Sequence, residues 1–160
     1  MAKVRFEVRH EFTSSARIVW DELVDWEGHA AWVPLTRMEV DPGDPTAVGA
    51  TFTAYTGVGR LALPDRMRVV RCDWTDSSST GDCEVEKLGP VLTGRAGFTV
   101  EPADGDRAVL HWFEDVTVPY TPQFVAPVLG KIGAAGFRAG MRRLAKQLTQ
   151  RGPEAPAPPS

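Results

Sequence analysis

The residues best equipped for chemistry lie in one segment, Ala108 to Val118. Its alternation puts Val109, His111, Phe113 and Asp115 on one face and Leu110, Trp112, Glu114 and Val116 on the other. One face turns inward, and each offers an aromatic ring beside an ionisable group. A carboxylate or imidazole in apolar surroundings has a shifted pKa and can act as acid or base on a carbonyl compound. The plainer alternative leaves His111 or Glu114 on the solvent side or at a rim. Tyr55, Arg68 and Glu86 are the other polar strand residues with reach toward a bound molecule, and the same ambiguity of facing applies to them.

Other constellations point away from chemistry. His10, His29 and His111 lie far apart, and none has a close Cys or His partner, so no metal site is expected. Cys72 and Cys83 sit at opposite ends of a hairpin loop without C-x-x-C spacing, which suits two ordinary strand thiols that face each other if the register is symmetric. Gly57-Val58-Gly59 lacks the Gly-Lys-Ser/Thr ending of a phosphate loop and precedes a β segment instead of a helix. Ser14, Ser15 and Ser77 to Ser79 lie outside any G-x-S-x-G setting, and capping and loop solvation explain them.

The elements that position these residues follow from periodicity. Val4, Phe6 and Val8 alternate with charges in a half-buried strand. Ser14 or Ser15 then caps a helix with an apolar stripe at Ala16, Val19, Trp20, Leu23 and Val24. Asp25 caps a second short helix across Trp26 to Trp32, which Pro34 ends. Strands are expected at 36–40, 50–56, 66–74, 83–88, 93–101 and 107–118. The Asp104-Gly105 pair marks the last hairpin. Neighbouring connections make the sheet antiparallel. Thr121-Pro122 opens a long helix to about Gln150, with Phe124, Val128, Ile132 and Ala135 leading into Phe137, Met141, Leu144 and Leu148 as its stripe. Pro127 should kink it or split off a first turn. Its glycines either allow close approach to the sheet or loosen the segment.

Composition bounds the reading further. A chain of 160 residues, 42% apolar and 24% charged, fits one domain over 1–150 with a disordered Pro-rich tail at 151–160. The net charge of −3 gives no electrostatic reason to expect nucleic acid or an anionic membrane as partner. The basic residues near the C-terminus recur on one face of the long helix, which reads as a solvated surface. No signal sequence or membrane-spanning run is visible, so cytoplasm is the default location.

The pattern of strand, two helices, about six strands and a long helix resembles the helix-grip arrangement. Val19-Trp20-Asp21-Glu22-Leu23-Val24-Asp25 with Trp32-Val33-Pro34 is similar to the opening of the SRPBCC superfamily in its polyketide cyclase/dehydrase-like branch. The similarity extends through Arg66-Met67-Arg68-Val69, through Gly94 to Pro102 and through Val109-Leu110-His111-Trp112, covering about residues 3–149. It implies an α+β, START-like fold: a curved antiparallel sheet of about six to seven strands wrapped around the C-terminal helix. It also implies an enclosed cavity, which in relatives holds lipids, sterols, polyketides or plant hormones, with the 57–59 loop at its mouth. On that basis the expected ligand contacts are Trp32, Phe52, Tyr55, Arg68, Phe98, Trp112, Phe124, Val128, Ile132 and Phe137.

Three functions remain open at this level. One is binding of a small hydrophobic molecule without cofactor, by a monomer or homodimer. Another is a cyclase or dehydratase using His111, Glu114 or Tyr55 for acid–base work. The last is an interaction module presenting the Arg-rich helix face to another protein.

Overall fold

The computed structural model describes residues 1–152. The tail expected at 151–160 therefore lies, from residue 153 on, outside the described residues. Strand β1 (Ala2–Phe12) buries Val4, Val8 and Phe12 and leaves its charged residues outward. Helix α1 (Ala16–Val24) starts where Ser15 Oγ accepts from the Ile18 amide, and it buries Ala16, Val19, Trp20 and Leu23. The second short helix is a single 3-10 segment at Glu27–Ala31, with the Asp25 carboxylate accepting from the Gly28 amide at 3.2 Å.

Six further strands follow: β2 (Thr36–Val40), β3 (Thr51–Thr56), β4 (Leu63–Thr75), β5 (Thr80–Leu88), β6 (Thr93–Ala103) and β7 (Arg107–Val118). Their order is β1-β7-β6-β5-β4-β3-β2, antiparallel throughout, with a bulge in β4 between Val69 and Arg71. The β4–β5 hairpin is tighter than its polar composition suggests, because pairing continues through Asp73↔Asp82, Trp74↔Gly81 and Thr75↔Thr80. Gly81 belongs in the strand for a packing reason: a Cβ there would stand 2.1 Å from the ring of Trp20 on α1. Cys72 and Cys83 are direct cross-strand partners and free thiols, and a hydrogen bond with Cys72 together with burial pushes the Cys83 thiol up.

The C-terminal helix begins later than expected. Gln123–Val125 forms a 3-10 turn, and α2 (Ala126–Arg151) runs for 26 residues, about 39 Å. Pro127 falls in its first turn, where a missing N–H removes no intrahelical bond, so it marks the start instead of a kink. Thr121 caps nothing; its hydroxyl donates to the Pro119 carbonyl.

The buried stripe of α2 is also not the expected one in its first half. Ala126, Gly130 and Ala134 face inward, then Met141, Leu144 and Leu148, while Phe124, Val128 and Ile132 point to solvent. The glycines explain the exchange. A Cβ on Gly133 would stand 2.6 Å from the ring of Phe6 on β1, so the helix backbone lies almost on the sheet there. Only small residues fit that contact, and the larger ones rotate outward. The core fills the space between the concave sheet face, α1 and the second half of α2. The convex face is solvated and carries a lattice of paired charges, among them Arg9–Glu11, Arg68–Glu86 and Arg71–Asp82. Such exposed pairs are screened by solvent and contribute little to stability.

Candidate functional site

The alternation of β7 leaves two choices of inward face, and packing selects one. Ala108, Leu110, Trp112, Glu114 and Val116 are buried, so Glu114 points into the grip and His111 to the convex surface. Phe52 and Met67 fix the inward phase of β3 and β4 in the same way. Tyr55 consequently sits on the convex side with the Arg37 guanidinium 4.3 Å above its ring, and Arg68 pairs with Glu86 at 2.7 Å in solvent. His111, Tyr55 and Arg68 are thus outside the interior.

Glu114 meets a residue absent from the expected set. Lys87 occupies the inward phase of β5 after Gly81, Cys83 and Val85, and is 6% exposed. Strand β6 lies between β5 and β7, with Gly94 opposite Lys87 and Ala96 opposite Glu114. With only a hydrogen and a methyl between them, the ammonium spans that strand and stops 3.5 Å from Glu114 Oε2. Lys87 Nζ also donates to Asp65 Oδ2 on β4 and lies 3.7 Å from Met67 Sδ. Trp112 Nε1 donates to Glu114 Oε1 at 3.4 Å. The second oxygen of Asp65, Oδ1, is buried and takes no donor from the protein.

The electrostatics follow from this geometry. Burial penalises the Glu114 carboxylate most, Lys87 partly offsets that, and Asp65 adds repulsion, so the Glu114 pKa is raised. Burial favours the neutral amine of Lys87, but the two carboxylates outweigh it and hold the ammonium charged. One cation thus faces two carboxylates in an apolar interior, with one carboxylate shifted toward its acid form. Such a cluster is capable of donating a proton, accepting one, or fixing the polar end of a ligand. Among the described residues no three His, Cys, Asp or Glu side chains are placed to share a metal ion.

Of the other expected contacts, Trp32, Phe52, Phe98, Trp112 and Phe137 do converge inside. Trp112 stacks on Phe98 at 5.3 Å and lies 4.6 Å from Phe137, and Trp26 stacks on Phe52 at 4.4 Å. These rings fill the deep part of the grip, and the Lys87 cluster lies beyond them toward the end of the sheet where β7 passes to α2. Open clefts of about 680 and 460 Å³ on the convex face are walled by charges such as Glu84, Glu86 and Arg95, or Arg5, Glu7 and Arg9. Both are open to solvent, and the larger one also touches Val70, Lys87 and Leu88. His29 is a core residue: its Nε2–H donates to the Leu23 carbonyl at 2.8 Å, and burial lowers its pKa to about 4.

A match to known families decides the wider assignment. Residues 3–149 fit the family described as "Polyketide cyclase / dehydrase and lipid transport". The chain belongs to this family. Among solved structures, this member of the polyketide cyclase/dehydrase family is similar to the ZhuI aromatase/cyclase from Streptomyces sp. R1128, at 15% identity and a TM-score of 0.68 over 96% of this chain and 98% of that one. It is also similar to a START superfamily protein from Mycobacterium smegmatis (14%, TM-score 0.67, 91% and 97% covered). A third likeness is to norcoclaurine synthase from Thalictrum flavum, solved with dopamine and hydroxybenzaldehyde (16%, TM-score 0.61, 96% and 91% covered). At these identities the likeness is one of fold, and that fold is the START-like helix grip. No curated protein matches the chain in sequence.

Lys87 and Asp65 were missed by sequence reasoning, although one signal was present. The phase set by Cys83 and Val85 puts Lys87 among buried positions, and a lysine in that phase marks an interior charge.

Proposed function

We propose that this protein binds a small, mostly apolar molecule at the Lys87 end of the grip, beyond the packed rings, and orients its polar end against Lys87, Asp65 and Glu114. The observation that carries the reading is the buried cluster itself. Replacing a buried ionic group by apolar residues of similar size is commonly neutral or stabilising, so the fold alone gives no reason for it. A ligand does. The unpartnered Asp65 Oδ1 suits a hydroxyl donor, the Lys87 ammonium suits a carbonyl or phenolic oxygen, and Trp112 and Phe137 supply flat contact area. The family description, which spans cyclase, dehydrase and lipid transport, is consistent with an apolar guest.

A second reading, acid–base catalysis on that guest, is favoured by the raised pKa of Glu114 beside a charged lysine. Glu114 in its acid form would protonate a carbonyl oxygen, with a carboxylate of the cluster accepting a proton from the adjacent carbon. Mass spectrometry of the purified protein, intact and after solvent extraction, tests both readings. Binding predicts a non-covalent adduct recovered unchanged and lost in Lys87→Met. Catalysis predicts an adduct converted over time by the native protein and left unconverted by Glu114→Gln. Absence of any adduct, with no uptake from a panel of hydroxylated aromatics, would remove both.

A further inference from the structure

Most of the exposed large apolar side chains gather at one end of the molecule. Antiparallel pairing brings the β3–β4 turn (57–62), the β5–β6 turn (89–92), the link from β7 to α2 (119–125) and Leu35 to the same end of the sheet. From these separate segments, Leu35, Val58, Leu61, Tyr120 and Phe124 project into solvent, with Leu61 and Phe124 83% exposed and Tyr120 fully so. Leu35 and Tyr120 present their side chains from left-handed backbone, at φ 53° and 55°, where glycine or asparagine is the easier residue. The outward side chains of Val128 and Ile132 continue the apolar surface along α2.

The charge distribution gives this end a partner. Residues 32–36, 56–64, 88–93 and 118–133 contain no Asp or Glu, in a chain with 21 of them. They do contain Arg60 and Lys131, both exposed and, among the described residues, without a salt bridge, in contrast to the paired arginines of the convex face. The opposite end of the sheet carries Asp41 and Asp44, Asp73 and Asp76, and Asp104 and Asp106. The net charge of −3 therefore conceals an apolar, cationic end and an acidic one.

We propose that the Leu61–Tyr120 end docks on an anionic lipid bilayer. Apolar prongs on separate turns, one of them a tyrosine, flanked by lone cations and free of carboxylates, suit insertion at the headgroup boundary. The inference is independent of the interior site, because docking does not need Lys87 or Glu114.

Vesicle flotation tests it, using phosphatidylcholine alone and an equal mixture with phosphatidylglycerol. The native protein should float with the mixed vesicles, remain behind with the neutral ones, and release as salt rises. A cation at an anionic surface strengthens binding about fivefold, so Arg60→Glu/Lys131→Glu should weaken it by about 25-fold or more. Leu61→Asp/Tyr120→Asp should abolish it, with circular dichroism and melting unchanged because both side chains are exposed. Failure to float with mixed vesicles, or flotation unaffected by both variants, would overturn the proposal. A concentration-dependent dimer dispersed by Leu61→Asp would also overturn it, and would assign this end to a second copy.

Discussion

Lys87 Nζ and Glu114 Oε2 stand 3.5 Å apart although a whole strand, β6, separates the strands that carry them. The contact exists because β6 offers only Gly94 and Ala96 at that level of the inner face. A larger side chain at residue 96 would wedge between the charges. The site therefore depends on two small residues that carry no chemistry themselves.

Removing one member of the cluster should cost far more than removing all three. Lys87→Met leaves two buried carboxylates without a cation, and an unfolding free-energy loss of about 3–5 kcal/mol is expected. The triple variant Asp65→Asn/Lys87→Met/Glu114→Gln should recover most of that loss. Urea denaturation of the two proteins, analysed as a cycle, checks the difference. If the triple variant is as unstable as the single one, the cluster is needed by the fold, and its functional reading loses its main support.

Acid should destabilise the protein through His29. Its folded pKa, about 4, lies below the ordinary imidazole value of 6.5, so the unfolded chain binds more protons between those values. Stability then falls as pH drops through that window, by about 2 kcal/mol between pH 7 and pH 5. Glu114 acts in the opposite sense: its raised pKa means that its contribution falls as pH rises above the ordinary carboxyl range. The His29 part is isolated by comparison with His29→Gln, whose stability profile between pH 5 and pH 7 should be flatter.

Two glycines of α2 should respond oppositely to the same substitution. Gly133→Ala places a methyl group 2.6 Å from the Phe6 ring and should destabilise by about 1–3 kcal/mol, despite the gain in helix propensity. Gly136 has open space around its Cβ position, so Gly136→Ala should stabilise by up to ~1 kcal/mol. Thermal melts of the pair test whether α2 lies on β1 as closely as described. Equal effects would contradict it.

The two stripes of α2 should separate as clearly. Met141 is wholly buried, and Met141→Ala should lose about 2–5 kcal/mol, whereas Ile132→Ala on the exposed side should stay within ~0.5 kcal/mol. Chemical denaturation of both variants reads the contrast directly.

These contrasts also mark how far the sequence was legible. Strand alternation, the Asp104-Gly105 turn and the Ser15 cap are local signals, and each element they announce is present. The α2 stripe misled in its first half because Phe124, Val128 and Ile132 are as regularly spaced as the residues that are buried. Only the close approach at Gly133 distinguishes the two faces, and that contact involves β1, more than 120 residues earlier in the chain. For the site, Glu114 was visible as an ionisable residue in a strand, but β7 carries an aromatic and an ionisable group in both phases, so its facing was undetermined. Lys87 and Asp65 join it through the registers of four strands, and no local pattern encodes that meeting. His111, Tyr55 and Arg68 had suitable chemistry in the outward phase.

The most direct test of interior binding is a two-dimensional NMR titration of labelled protein with 2-naphthol, an apolar bicycle with one hydroxyl. Binding at the cluster predicts saturable shifts at Lys87, Ala96, Trp112 and Glu114, and their loss in Asp65→Asn/Lys87→Met/Glu114→Gln. Shifts confined to the convex face or to the outer stripe of α2, or the same shifts in the triple variant, would contradict a ligand held by Lys87, Asp65 and Glu114.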